Sequence, residues 1–230
     1  FVITVNPTPT VLPTADQIIC GGTPTAAINF SGNAVAGVSY TWTEFGPSIG
    51  NTSTSPGNIA SFIGSTGTNP SVSMIVVTPL ANGCPGLNDT LSITVNPIPT
   101  VNAVSSQTVC AGASISAINF SGNAVAGVVY NWTGTNSSIG LAPSGAGNIA
   151  GFTAINTGVN IEHDTITVTP IANGCPGAPI SFVITVNPTP TVLPTADQII
   201  CGGTSTSAIN FTGNAVAGVS YTWTVSGPAI

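Results

Sequence analysis

Apolar and polar residues alternate along several short segments of this chain, a pattern typical of β-strands with one buried face. In residues 38–43, Val38, Tyr40 and Trp42 share one face, and Ser or Thr occupies the other. The same alternation occurs in residues 91–95, 164–169 and 182–186, and helical periodicity is absent. The pattern therefore predicts an all-β protein built from half-buried strands.

Turn-forming residues separate these segments, at Gly32-Asn33, Pro56-Gly57-Asn58 and Asn82-Gly83. Their spacing allows about seven strands in about 90 residues, the size of one antiparallel β-sandwich.

The chain repeats itself. Residues 1–49 and 182–230 are nearly the same sequence, and a second copy lies between them, displaced by 90 residues (Ile93 minus Ile3). The third copy lies 91 residues further on (Ile184 minus Ile93), so the duplicated unit is a pair of repeats of 181 residues. We expect this segment to be an excerpt of a longer array. Tandem copies lengthen a molecule without adding a new site, which favours a stalk or filament over an enzyme.

Proline-rich boundaries divide the repeats at residues 5–9, 95–99 and 186–190. Two prolines within three residues end a strand and hold the backbone extended, which predicts short, semi-rigid linkers. We predict the last strand of a preceding repeat at 1–7, β-sandwich repeats at 8–97 and 98–188, and the N-terminal half of a further repeat at 189–230. Domains placed end to end would each add roughly 30 to 40 Å.

Charge is almost missing from the chain. It has no Lys or Arg, six Asp and Glu, and a formal net charge of −6. Nucleic acid and anionic membrane surfaces are excluded as expected partners, because attraction to both needs basic clusters. Apolar runs such as residues 75–77 are far shorter than the roughly 18 residues of a membrane span, and no signal peptide is recognisable at Phe1.

Five cysteines occupy two repeat positions. Cys20, Cys110 and Cys201 share the first position, and Cys84 and Cys175 share the second. One pair per complete repeat predicts the disulfides Cys20–Cys84 and Cys110–Cys175, with the partner of Cys201 outside the chain. Each would close a loop of about 65 residues and stabilise its domain by roughly 4 kcal/mol. Paired cysteines without a CxxC motif favour disulfides over zinc, and hence an oxidising, extracellular compartment.

Several motifs together carry a resemblance to a known family. They are Ile-Cys-Gly-Gly-Thr, Ala-Ile-Asn-Phe-Ser-Gly-Asn, Val-Ser-Tyr-Thr-Trp-Thr, Ala-Asn-Gly-Cys and Ile-Thr-Val-Asn-Pro. The chain resembles the PKD-like, immunoglobulin-type repeats of very large surface proteins in gliding bacteria that use type IX secretion. The resemblance implies tandem immunoglobulin-like antiparallel β-sandwiches in an extended array, in a secreted adhesin or surface filament, with no catalytic residue.

The cysteine spacing departs from that of typical immunoglobulin domains, whose Trp follows the first Cys by about a dozen residues. Here Trp42 follows Cys20 by 22 positions (42 minus 20). We therefore expect the disulfide to pin loops at the rim of the sandwich, away from the core between the sheets.

His163, between Glu162 and Asp164, is the one candidate for metal or acid-base chemistry. Neighbouring residues of a strand point to opposite faces, so the acids share a face that His163 avoids, and we interpret the segment as a solvated strand. No metal, cofactor or enzyme activity is expected, because no His recurs and no Lys could activate a nucleophile. Calcium, held by backbone carbonyls around one acid, stays open.

Aromatic and hydroxyl residues supply the remaining candidates. Trp42, Trp132 and Trp223 each follow a Tyr by two positions, and alternation favours a core role over stacking on sugars. Thr90 and Thr165 lie in Asp-Thr-aliphatic segments, which the resemblance makes candidate O-glycosylation sites, although chance strand sequence explains them equally well.

These patterns predict a structural repeat segment of an extracellular filament or giant adhesin, serving as a shaft for attachment or gliding. Neighbouring repeats are the expected partners, with lateral self-association or a surface polysaccharide as further ones. The alternatives are a polysaccharide- or ice-binding module using the Thr-x-Thr face of residues 165–169, or spacer domains of a secreted enzyme. A single-chain adhesin and a multi-chain filament both stay open.

Overall fold

The computed structural model describes residues 1–227 and is built from β-strands with one short 3-10 helix, Ser137–Ile139. In the first sheet the strand order is β1-β5-β3-β2, with β4 added to one end of β3. Strands β1 and β5 run parallel, and the other pairs are antiparallel. The bounds are β1 Gln17–Cys20, β2 Ser39–Phe45, β3 Ser71–Ala81, β4 Cys84–Pro85 and β5 Asp89–Asn96.

The second repeat builds a corresponding sheet in the order β6-β13-β11-β8-β9, with β12 paired to β11. A small two-stranded sheet of β7 and β10 accompanies it. The bounds are β6 Gln107–Cys110, β7 Ser114–Ile115, β8 Val129–Gly134, β9 Ser144–Ala146, β10 Phe152–Thr153, β11 Glu162–Ala172, β12 Cys175–Pro176 and β13 Ile180–Asn187.

The core of the first repeat lies between its sheet and an opposing layer of loops. Every second residue of β3 and β5 is buried, because successive side chains of a strand point to opposite faces. The opposing layer is tied together by backbone hydrogen bonds between Ile28 and Ile59. The core consists of Ile75, Val77, Leu91, Ile93 and Val95 from the sheet and Ile28, Phe30, Ile49, Ile59 and Phe62 from the other layer.

The predicted all-β, immunoglobulin-like sandwich is confirmed. Each of the four alternating segments is a strand or most of one: β2, β5, β11 and β13. The strand number differs from the predicted seven, since five strands form in the first repeat and eight, several of them only two or three residues long, in the second. The extended array stays a prediction.

The structure assigns no strand to residues 1–7 or to residues 189–227. In the first repeat β1 is held by β5 and β2 by β3. Residues 189–227 repeat only the part of the sequence that holds β1 and β2, so these segments lack their sheet neighbours. Residues 228–230 of the predicted half-repeat lie outside the described residues.

The chain forms two compact units, whose limits differ from those of the predicted domains. The first comprises Phe1–Val101 together with two segments of the second repeat, Ser121–Val129 and Thr169–Ala178. The second comprises Asn102–Phe120, Tyr130–Val168 and the chain from Pro179 onward. The first unit therefore contains the place where one repeat passes into the next.

Candidate functional site at the junction of two repeats

One disulfide joins the two repeats. Cys20 of the first repeat is bonded to Cys175 of the second, with Cα atoms 5.6 Å apart and a separation of 155 positions in sequence. Both cysteines belong to the first compact unit. Cys84, Cys110 and Cys201 carry free thiols. The predicted pairs Cys20–Cys84 and Cys110–Cys175 are therefore wrong.

The length of β3 explains why a repeat does not close its own disulfide. Cys20 lies beside Asn96, at the end of the sheet where Ser71 pairs with Val95. Cys84 pairs with Ala81, at the opposite end of the same strand. The ten residue steps from Ser71 to Ala81 span about 33 Å at 3.3 Å per residue, whereas disulfide Cα atoms lie at most about 7 Å apart. Each bond at the rim must therefore reach another repeat.

A tight hairpin turn presents the second-position cysteine. Ala172 pairs with Cys175, and the two residues between them, Asn173 and Gly174, have φ values of 50° and 78°. Positive φ at both central residues defines the two-residue hairpin turn for which Asn-Gly is the preferred sequence. The Asn-Gly-Cys motif thus places the sulfur directly beside the tip of the hairpin.

The same turn receives a hydrogen bond from the preceding repeat. The side-chain amide of Asn96, a buried residue, donates to the carbonyl oxygen of Asn173 at 3.1 Å. The backbone oxygen of Asn96 accepts from Gly21 N, the residue after Cys20, at 2.8 Å. One side chain therefore connects the first-position cysteine segment to the second-position turn.

Proline and asparagine fix the junction linker, which we define as residues 96–100. Pro97 and Pro99 are buried. Asn123 of the second repeat donates through Nδ2 to the carbonyl oxygen of Ile98 at 3.0 Å, and its Oδ1 accepts from Thr100 N at 2.9 Å. The linker is consequently part of the packed structure, and its backbone is held in one conformation.

Two glycines let the linker backbone approach closely. A Cβ at Gly122 would overlap the carbonyl oxygen of Thr100, and a Cβ at Gly177 would overlap that of Pro99. The linker backbone therefore passes between two positions that only glycine can occupy. The sequence analysis did not predict that these glycines contact the linker. The recurrence of Ser/Thr-Gly-Asn and Cys-Pro-Gly in the repeats was the available signal.

The hydrogen bonds that Asn123 makes to the linker recur in the other copies. Asn33 makes the corresponding bonds to Thr8 and Thr10, and Asn214 makes them to Thr189 and Thr191. The geometry is thus a property of the repeat sequence and not of one junction.

The prediction of a solvated strand around His163 is confirmed for His163 and wrong for Asp164. His163 is exposed, with its ring nitrogen 3.0 Å from Thr185 Oγ1, but Asp164 is fully buried. Asp164 Oδ1 accepts from the backbone N–H groups of Thr135 and Asn136 at 2.7 and 3.0 Å, while Oδ2 has no partner. The carboxylate therefore orders the loop that follows β8, and the alternation correctly placed His163 on the other face.

In the first repeat the corresponding carboxylate comes from the neighbouring strand of the same sheet, β2. Glu44 stands where the second repeat has Gly134, and buried Ser73 stands where it has Asp164. Ser73 donates its hydroxyl to Glu44 Oε1 at 2.8 Å. One carboxylate at this place in each repeat indicates a structural acceptor.

Other acids also accept backbone hydrogen bonds. Asp89 Oδ2 accepts from Thr14 N at 3.0 Å, and Asp16 Oδ1 accepts from Ser92 N at 2.6 Å. Within residues 1–227, no three His, Cys, Asp or Glu side chains lie close enough together to hold a metal ion. Over the same residues, no helix is long and apolar enough to cross a membrane.

The tryptophans differ among the three copies. Trp42 packs against the core and donates from Nε1 to Gly57 O at 2.9 Å, and Trp132 is buried, as predicted. Trp223 is exposed, in the segment that lacks its sheet neighbours. Thr90 is exposed and Thr165 partly buried, and their O-glycosylation stays a prediction.

Comparison with known protein families finds one match, to the second repeat. Residues 107–190 match the family model described as a PKD-like domain. Among curated proteins, none matches the sequence. The second repeat is therefore similar to PKD-like domains, and the first repeat shares its sequence pattern and sheet order.

Two solved multidomain structures show a weaker likeness. Sidekick-1 immunoglobulin domains 1–4 share 14% identity over 79% of this chain, with a TM-score of 0.45, and this chain covers 48% of that one. Human CDH23 EC21–23 shares 14% identity over 90% of this chain and 80% of its own, with a TM-score of 0.44.

We predict that Gly122→Ala destabilises the junction by about 1–3 kcal/mol, because the new methyl group must displace the linker backbone at Thr100. Thermal unfolding of the variant and the native chain measures the effect. Gly67→Ala is the matched control, since a Cβ there meets no atom within 4 Å. Equal losses of stability in both variants would contradict the close approach of the linker backbone to Gly122.

We predict that Asp164→Ala costs about 1–3 kcal/mol, because the backbone N–H groups of Thr135 and Asn136 lose their charged acceptor. His163→Ala, one residue away on the exposed face, should change the free energy of unfolding by less than about 0.5 kcal/mol. Urea unfolding of both variants checks the pair, and a larger loss for His163→Ala would refute the assignment.

Proposed function

We propose that the chain is a segment of the shaft of an extracellular surface filament or giant adhesin, serving attachment or gliding. The observation that carries the proposal is the Cys20–Cys175 disulfide, a covalent bond between successive repeats in addition to the backbone. A molecule whose task is to transmit tension along a row of domains needs its weakest points, the junctions, reinforced.

The disulfide changes the path that tension takes. When the two ends of the chain are pulled, the covalent path runs from Cys20 across the sulfur atoms to Cys175. Residues 21–174 lie outside that path and stay unloaded even if the first repeat unfolds. A bond closed within one repeat would protect only that repeat and would leave the junction linker to bear the full load.

Composition supports an extracellular shaft. Disulfides persist in oxidising compartments, and a chain without Lys or Arg offers no cleavage site to trypsin-like proteases. A surface with few charges opposes close packing only weakly, so lateral self-association into a multi-chain filament is compatible with this function. A surface polysaccharide is a further candidate partner.

The Thr-rich face of β11 supports the main alternative, a polysaccharide- or ice-binding module. Thr165, Thr167 and Thr169 are each partly buried, and Thr167 Oγ1 lies 3.0 Å from Ser181 Oγ. The Thr167 hydroxyl, engaged with Ser181 across strands, is less available to a ligand, and the partial burial of all three threonines also favours the shaft. Spacer domains of a secreted enzyme would share the junction and differ only in carrying a catalytic domain elsewhere in the protein.

Electron microscopy of cells that make the protein, with gold-labelled antibody against this chain, tests the location and the architecture. We expect label along beaded threads at the cell surface if one chain forms the shaft, and along thicker ordered fibres if chains associate. Label confined to the cell interior would refute the proposal.

Force measurement tests the mechanical role. Pulled from its two ends, the oxidised chain should lack an extension of about 540 Å, which is 155 residues at about 3.5 Å each, and reduction should release it. Cys84→Ser is the control, because it removes a cysteine and keeps the bond. Equal contour lengths before and after reduction would contradict the load path.

A further inference from the structure

We propose that Cys84, Cys110 and Cys201 form the same junction bond with further copies of the repeat, so that each junction carries one disulfide and successive disulfides interlock. The partner is in every case another repeat of this sequence. This inference rests on the proposed shaft function only for its mechanical consequence, and the bonding itself can be tested separately.

The second repeat already carries a complete first-position site at Cys110. Cys110 lies beside Asn187 in β6 and β13 just as Cys20 lies beside Asn96 in β1 and β5. Ala111 N donates to Asn187 O at 2.9 Å, matching the bond from Gly21 to Asn96 at 2.8 Å. Cys110 is exposed, so its thiol is open to a partner.

The first repeat carries a complete second-position site at Cys84. Asn82 and Gly83 have φ values of 50° and 78°, identical to those of Asn173 and Gly174 before the bonded Cys175. The carbonyl oxygen of Asn82 accepts from the side chain of Asn6 at 3.3 Å, as that of Asn173 accepts from Asn96. The hydrogen-bonded half of a junction is therefore present at Cys84, and only the sulfur partner is lacking.

The third copy repeats the first-position geometry at Cys201. Thr204 Oγ1 donates to Cys201 O at 2.7 Å, as Thr23 Oγ1 donates to Cys20 O at 2.6 Å. Cys201 is exposed as well.

The geometry selects head-to-tail pairing. First-position cysteines lie at the end of a repeat that leads into the next one, and second-position cysteines lie at the end that faces the previous one. A bond between two first-position cysteines would bring together two ends that both lack the Asn-Gly turn. Contacts of the head-to-tail type continue indefinitely, as an array requires.

Formation of each bond is a two-electron oxidation. The two thiols lose two protons and two electrons, and one sulfur–sulfur bond forms. The oxidant is a second disulfide, in a small molecule or in another protein. It accepts the two electrons and two protons by thiol–disulfide exchange and is released as two thiols.

Interlocking would make the array almost inextensible. The bond from Cys20 to Cys175 spans 155 of the 181 residues of the unit, and the next bond of this series begins at Cys201, only 26 residues later (201 minus 175). The tension-bearing backbone is then 26 residues per unit, about 90 Å when extended at about 3.5 Å per residue, against about 630 Å for all 181 residues. With every domain unfolded, the fully extended length of such an array is about sevenfold shorter than that of an array without the bonds.

Disulfide mapping of the full-length chain from the cells that make it tests the proposal. Free thiols are blocked with N-ethylmaleimide. The protein is cut with chymotrypsin, because residues 1–230 contain no Lys or Arg for trypsin to cut at, and linked peptides are identified by mass spectrometry without reduction. The sequences around the five cysteines all differ, so every pairing has its own mass. We expect the Cys84 peptide to be linked to a first-position peptide of the Cys110 type.

Three outcomes would overturn the proposal: a Cys84 peptide linked to the Cys20 peptide, a symmetric link between two copies of Cys110, or Cys84 recovered with the maleimide attached. The variant Cys84→Ser in the full chain should leave the Cys20–Cys175 link intact and add one blocked first-position thiol per missing bond. Loss of the Cys20–Cys175 link in this variant would show that the bonds do not form independently. Since the assay reads only bonds, a failure here leaves the microscopy test of the shaft unaffected.

Discussion

The distance between the two ends of one strand governs this structure. β3 and β11 each run for 11 residues through the middle of their sheets, so the cysteines beside their opposite ends are kept apart. A stiff sandwich cannot fold back to join them, because its core of interdigitated Ile, Val, Leu and Phe fixes the strand register. The disulfide is forced to connect successive repeats, and a feature usually associated with domain stability becomes a feature of the junction.

Linker residues reinforce the same result. An interdomain segment normally moves freely, but this linker does not. Its prolines are buried, two glycines lie in contact with its backbone, and Asn123 forms hydrogen bonds to both Ile98 and Thr100. Asn96 joins the linker to the hairpin that carries Cys175, so covalent and hydrogen-bonded connections converge on one turn. These contacts hold the linker and the hairpin in the positions that the disulfide joins.

Much of the fold could be predicted from the sequence because alternation is a local property. Residues such as Tyr40 and Trp42 show their face through their immediate neighbours, and Asn82-Gly83 defines its turn by itself. Cysteine pairing is different, because a repeat array offers each first-position cysteine several second-position partners of nearly identical sequence. The sequence periodicity cannot separate a bond within a repeat from a bond between repeats, and only the length of β3 does so.

Two further residues show where local reasoning stops. Asn33 reads as a turn residue, yet its side chain holds a linker segment 23 to 25 positions away. Asp164 reads as solvated because it neighbours His163 and Glu162, yet it is buried beneath a loop that begins 29 residues earlier in the chain. Both functions depend on contacts across the sandwich, which the spacing of residues within one strand does not encode.

The central claim is that successive repeats are bonded through Cys20 and Cys175. The most direct measurement is the mass of the unreduced chymotryptic peptide that contains Cys20 in the oxidised chain. The account predicts that this peptide is joined to the one containing Cys175. A Cys20 peptide joined to the Cys84 peptide would contradict it.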